Sequence, residues 1–170
     1  MLAQVEWELR YLDQLETDLE MASTQPEVQE VRRALSEAGY MKGEKRRRKP
    51  SRSQPLTFRS PDGLTILVGK NSRQNEEVTF RRASAGDLWL HARGVPGAHV
   101  IIRSGGQEVP EATLHQAAGL AAYYSQARGA TRVAVDYTQR RHVRRVKGAR
   151  PGLVTYDHEQ TIYVSPRGPE

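Results

Sequence analysis

Asp87-Leu88-Trp89-Leu90-His91-Ala92-Arg93 is the stretch of this chain richest in groups that can do chemistry. In an extended segment, successive side chains alternate between two faces. Leu88, Leu90 and Ala92 then share one face, and Asp87, Trp89, His91 and Arg93 share the other. An indole, an imidazole and a guanidinium on one surface make a platform on which nucleic-acid bases can stack. The same pattern also fits a Trp89 buried under the N-terminal helices or the later helix, with His91 satisfied by Asp87. His99 follows the turn Gly94-Val95-Pro96-Gly97. With Asp87, the two histidines are the groups a nuclease or phosphodiesterase would use for acid–base chemistry. Their spacing, with or without Asp136, matches no metal-ligand pattern, and Gly105-Gly106 lacks the lysine of a phosphate loop. The expectation is therefore no metal, no cofactor and no catalytic residue, with the histidine-centred enzyme as the alternative.

Two further segments carry polar groups suited to RNA. Gly69-Lys70-Asn71-Ser72-Arg73-Gln74-Asn75 is dense in side-chain donors. Lys70 and Arg73 can contact phosphate and Asn71 and Asn75 can read base edges; asparagines also cap turns through the backbone. Arg140-Arg141-His142-Val143-Arg144-Arg145-Val146-Lys147-Gly148-Ala149-Arg150 is the densest basic cluster outside the linker. Val143 and Val146 can anchor it while Arg140, Arg141, Arg144, Arg145, Lys147 and Arg150 project as a phosphate-binding edge. The competing reading is a solvated helix.

The elements that position these groups follow from periodicity and charge. The 170 residues carry a net charge of +6 and no cysteine, which excludes disulfide frameworks and thiol chemistry. Residues 1–40 have a balance of −6, residues 41–54 of +6 and residues 55–170 of +6. An acidic rod, a basic linker and a basic globule point to a polyanionic partner. Leu2, Val5, Leu9, Leu12, Leu15 and Leu19 recur at helical spacing. Thr24-Gln25-Pro26-Glu27 has the form of a capping box, opening a second helix that Gly39 ends. Residues 1–40 are expected to be an antiparallel helical hairpin, either the end of a truncated coiled coil able to self-associate or a subdomain packed on the globule. Residues 41–54, with Lys45-Arg46-Arg47-Arg48-Lys49, read as a linker.

In residues 55–167 the pattern predicts strands over 56–59, 64–68, 87–92, 99–103 and 131–137. It predicts a loop over 69–77, a short helix over 78–85, a long helix over 110–128, and a last hairpin pairing 154–156 with 161–164. The fold class is α+β: the helical hairpin, then a strand-rich mixed globule with one long helix. No signal peptide or membrane-length apolar run is seen, so a soluble cytoplasmic protein with no membrane partner is expected.

Six ordered strings carry a resemblance. They are Gly69-Lys70-Asn71 with Gln74-Asn75, Asp87 to His91, Pro96-Gly97-Ala98-His99-Val100, Ala117-Ala118 with Tyr124-Ser125, Val135-Asp136-Tyr137-Thr138, and Gly148-Ala149-Arg150-Pro151-Gly152. Over residues 56–165 they resemble the RNA-binding NFACT-R domain of the NFACT family, which includes bacterial RqcH (fibronectin-binding protein A-like) proteins and their NEMF relatives. The resemblance implies a non-catalytic module of a ribosome-associated quality-control factor. Its partners would be the large ribosomal subunit, through rRNA, and tRNA recruited for C-terminal alanine tailing. By position, the family's polar residues map onto Asn71, Asn75, Asp87, Trp89, His91, His99 and Asp136. Glu76 departs from the pattern, where an aspartate often stands. The older family name suggests a third alternative, a surface fibronectin-binding adhesin.

Overall fold

Ser60-Pro61-Asp62-Gly63 makes the first turn because each residue suits its place. The Ser60 hydroxyl accepts from the Leu64 amide at 3.1 Å, and Gly63 takes the left-handed conformation at φ 82°. The turn joins β1 (Leu56–Arg59) to β2 (Thr65–Val68). The strands that follow are β3 (Leu88–Ala92), β4 (Val100–Ile102), β5 (Val133–Gln139), β6 (Val143–Arg145), β7 (Val154–Tyr156) and β8 (Gln160–Val164). The computed structural model describes residues 2–42 and 52–169, so the Lys45–Lys49 cluster lies outside the described residues. Six strands form one antiparallel sheet in the order β1-β2-β4-β3-β5-β8, and β6 pairs with β7 apart from it. The expected last hairpin is thus corrected. β7 turns to Val143–Arg145 and β8 to β5, with Tyr137 opposite Gln160.

Each face of the sheet buries its own core. Ile66, Val68, Leu90, Ala92, Val100, Ile102 and Val135 pack on α4 (Glu111–Tyr123), whose Ala117, Ala118, Ala121 and Ala122 are fully enclosed. Small side chains let this helix lie close against the sheet. It is shorter than the 110–128 expected, because Gly97 bridges to Ser125 and draws the chain off the helix. A Cβ at Gly97 would sit 2.7 Å from the Ser125 Cβ, so the approach needs glycine. On the opposite face, Leu67, Trp89 and Ile101 are covered by Val78, Val143, Phe80, Val154 and Tyr156. The period-two reading of residues 87–93 therefore assigns the faces correctly, but both faces are covered.

Residues 69–77 are not a loop. Asn71 caps a short helix, α3 (Ser72–Glu77), its side chain accepting from the Gln74 amide at 2.9 Å. α3 runs into a π-helical turn, Val78–Arg82, where the expected short helix lies.

The N-terminal segment is the expected helical hairpin, α1 (Leu2–Met21) and α2 (Gln25–Glu37), with Thr24 as N-cap. The Glu27 carboxylate returns to the Ser23 amide at 3.0 Å. Of the leucine stripe only Leu15 is buried; it packs with Tyr11 and Val31, while Leu2, Val5, Leu9 and Leu19 are exposed. Length explains part of this: twenty residues of α1 span about 30 Å and thirteen of α2 about 20 Å, so the start of α1 overhangs its partner. The hairpin packs on the globule. Ser72 N–H donates to Asp18 at 3.0 Å, and Arg150 reaches both Glu8 and the Ala38 carbonyl at 3.3 Å.

Candidate nucleic-acid interface

The polar residues at 70–75 face the acidic hairpin. Lys70 is ion-paired with Glu27. Glu30 accepts from Asn71 at 2.8 Å and from Arg73 at 2.9 Å, and Arg73 also donates to the Ser53 carbonyl. Asn75 is buried, accepting from the His99 amide at 2.9 Å and donating to the Gly97 carbonyl at 3.3 Å. The chemistry expected to meet RNA here is satisfied within the chain. Sequence reading missed this because the partners are distant: Glu27 and Glu30 lie more than forty residues upstream of Lys70, Asn71 and Arg73, and those of Asn75 more than twenty downstream.

Trp89, expected as a stacking platform, is 0% exposed. Its ring lies parallel to His91, edge-on to His99 and 4.7 Å from Tyr156. The cover comes from the π-helical turn and the β6–β7 hairpin, which sequence periodicity cannot foresee. His91 is half-buried and borders a cleft of about 300 Å³ whose other wall includes Arg10, Asp13 and Gln14 of α1. Burial pushes the His91 imidazole down to about 4, against the opposing pull of Asp136. His99 is driven well below its usual value by burial and then by His91. Both rings are neutral at physiological pH, and the Thr79 hydroxyl meets His99 Nδ1 at 2.9 Å.

The histidines meet, with centroids 5.5 Å apart, but Asp87 is elsewhere. Its carboxylate accepts from the Ser84 and Gly105 amides at 2.8 and 2.9 Å, tying two turns together. The trio His91, His99 and Asp87 is therefore not assembled. Asp136 instead accepts from Tyr156 at 2.6 Å and Thr161 at 2.7 Å, with the exposed Arg93 at 3.9 Å.

The cluster at 140–150 behaves differently. It is neither a helix nor uniformly free. Arg140 turns inward, donating to the Thr79 carbonyl at 2.7 Å and lying 4.8 Å over Phe80. Arg145 covers the same ring at 4.1 Å and pairs with Glu76, whose other oxygen accepts from the Gly152 amide. Glutamate at position 76 is thus long enough to serve two partners. Arg150 clamps the hairpin, held charged chiefly by its hydrogen bond to Glu8. Arg141, Arg144 and Lys147 project from the arm. The π-helical turn adds exposed Arg81 and Arg82, which sequence reading did not single out. The Arg81-Arg82 pair was visible, but its neighbourhood with Arg140–Lys147 depends on packing around Phe80 and on the Arg141 amide bonding the Ala85 carbonyl at 3.0 Å. The result is a solvent-facing set of basic side chains on two neighbouring segments, a ridge suited to phosphate contact.

Comparison with known proteins identifies the domain that carries this ridge. Residues 54–157 match the NFACT protein RNA binding domain. The protein named Rqc2 homolog RqcH of Bacillus subtilis (strain 168) is 46% identical over 164 residues, and that of Streptococcus suis (strain 05ZYH33) is 41% identical over 157. These alignments cover 94% and 92% of this chain but 28% of each relative, so the chain spans a little over a quarter of their length. The solved C-terminal part of the fibronectin/fibrinogen-binding protein from Streptococcus suis superposes with a TM-score of 0.87 at 38% identity, over 95% of this chain and 65% of that one.

Proposed function

Because the chain belongs to the NFACT RNA-binding-domain family, we propose that it is the RNA-contacting part of a ribosome-associated quality-control factor. In this reading the basic ridge docks on rRNA of the large subunit carrying a stalled peptidyl-tRNA. The domain then supports tRNA recruitment for C-terminal alanine tailing, in concert with the rest of a longer protein. The module binds and positions RNA rather than catalysing the transfer, and it works in the cytoplasm. The observation that carries this is the set of outward cations Arg81, Arg141, Arg144 and Lys147 on a scaffold held from beneath by Arg140 and Phe80. Arg93 is a further exposed contact. Buried Asn75, Trp89 and His99 hold the fold, and His91 sits at the cleft.

Co-sedimentation with purified large subunits, with and without P-site tRNA across a salt series, tests it. The wild type should pellet with the subunit, less at higher salt because bound phosphates release counterions. A variant with Arg81, Arg141, Arg144 and Lys147 changed to Ala should remain in the supernatant. Pelleting of that variant as well as the wild type would move the interface off the ridge. The name of the Streptococcus suis structure supplies a second reading, binding of fibronectin or fibrinogen. A pull-down of fibronectin that survives nuclease and high salt would favour it. No helix among the described residues is long and apolar enough to cross a membrane.

A further inference from the structure

His142, Asp157 and His158 converge at a corner that the RNA reading does not use. His142 ends the short 3₁₀ turn Arg140–His142, and Asp157 and His158 lie in the turn between β7 and β8. One nitrogen from each imidazole and one carboxylate oxygen all lie within 4.8 Å of one another. Both Nδ1 atoms address the same oxygen, Asp157 Oδ1, at 2.9 Å from His158 and 3.7 Å from His142. The rings stack with centroids 4.3 Å apart. The second oxygen, Oδ2, is left to Arg144 at 3.5 Å, so the carboxylate has one oxygen facing the imidazoles and one held from outside.

Three features make this more than a chance meeting of surface side chains. First, the backbone fixes both segments. The Asp157 amide donates to the His142 carbonyl, the Thr138 hydroxyl donates to the Asp157 carbonyl, and the β6–β7 and β5–β8 pairings flank the corner. Second, His158 is the one non-glycine residue among those described with positive φ, at 58°. An L-residue there costs on the order of 1 kcal/mol that glycine avoids. The turn carries an imidazole where the backbone alone favours glycine. Third, the corner is half open, with His142 26% and Asp157 52% exposed, so the side chains can rotate and water can complete a coordination shell.

We infer that His142, Asp157 and His158 form a binding site for a divalent transition-metal ion, best matched by Zn(II). Two imidazole nitrogens and a carboxylate oxygen suit zinc and not magnesium or calcium, which take oxygen ligands. Tetrahedral zinc bonds of about 2.0–2.2 Å hold neighbouring ligand atoms roughly 3.3–3.6 Å apart, so the His158–Asp157 contact at 2.9 Å would open and the His142–Asp157 approach at 3.7 Å would close slightly, movements open to these partly exposed side chains. Each coordinating imidazole would bind through the lone pair of one ring nitrogen and carry its proton on the other, and a water would take the fourth position. Bound there, it would tie the 140–145 arm to the β7–β8 turn and stiffen the support of the basic ridge. Arg144 opposes the cation at this distance, so the site is expected to be moderate in affinity rather than a permanent structural centre.

The test uses the full chain, treated with EDTA and dialysed at pH 7.5, titrated calorimetrically with ZnCl2, with MgCl2 as the control cation. One zinc per chain is expected and no magnesium uptake. His142→Ala and His158→Gly should each weaken zinc binding on the order of tenfold or more. His115→Ala, which alters an exposed imidazole on α4, should leave it unchanged. His158→Gly suits the left-handed turn and should melt in EDTA no lower than the wild type, which separates loss of a ligand from loss of the fold. Zinc affinity unchanged in both His142 and His158 variants, or no saturable uptake by the wild type, would overturn the proposal.

Discussion

Asn75 shows how much of the candidate site is architecture. Its amide spans the Gly97 carbonyl and the His99 amide, and a Cβ on Gly69 would lie 2.4 Å from its side-chain oxygen. Replacing it by alanine leaves one buried donor and one buried acceptor without partners, each worth roughly 1–3 kcal/mol. Asn75→Ala should therefore lower stability by about 2–6 kcal/mol in urea unfolding. RNA affinity measured where the variant is still folded should change little; a large affinity loss with unchanged stability would put Asn75 at the interface after all. The residue types were legible in the sequence, and so was the face of β3 on which Trp89 and His91 lie. Depth was not legible. Alternation states which side chains share a face, not what covers them, and the cover over Trp89 comes from Val78 and Val143, eleven residues upstream and fifty-four downstream.

The elements were readable where their determinants are local. The Thr24 cap, the Ser60–Gly63 turn and the alanine face of α4 sit within a few residues of what they control. α3 was missed because its polar residues are buried by the hairpin rather than exposed as in a loop. β7 and β8 were paired wrongly because the shortest connection suggests a hairpin, while β7 instead forms its hairpin with the preceding β6 and β8 returns to the more distant β5. The docking of the hairpin makes a further prediction. Asp18 is buried at this junction, and burial pushes its carboxyl up to about 7 despite donors from Gln14 and the Ser72 amide. The folded state then holds a proton that the unfolded chain, at about 3.9, gives up. The stabilisation is complete below about pH 4 and is lost as pH rises through about 7, at up to about 1.4 kcal/mol per pH unit. Asp18→Asn cannot ionise and should flatten that part of the stability–pH curve. Denaturant titrations at several pH values decide this, and equal slopes in both proteins would mean that Asp18 is ionised in the fold.

At the scale of the molecule, the charge asymmetry was legible and its meaning only half so. The acidic hairpin and basic globule do not merely coexist. Glu27, Glu30 and Glu8 take Lys70, Arg73 and Arg150 for themselves. What remains for a polyanion is Arg81, Arg141 and Lys147 on the π-helical turn and the 140–147 arm, with Arg82 and Arg144 exposed beside them but paired with Glu77 and Asp157. Counting bases along the chain cannot make that division, because it depends on which cations already have an internal partner. The division can be read from salt dependence. Each phosphate contact contributes about 0.7–0.9 to the slope of log affinity against log salt. Lys147→Ala should reduce that slope by about this amount in anisotropy titrations with an RNA oligonucleotide. Lys70→Ala removes the same formal charge, yet should leave the slope unchanged, because that ammonium is held by Glu27. The effect of Lys70→Ala should appear instead as lost stability. If the two variants shift the slope equally, net charge rather than the ridge governs RNA binding, and the hairpin must release its cations when RNA arrives.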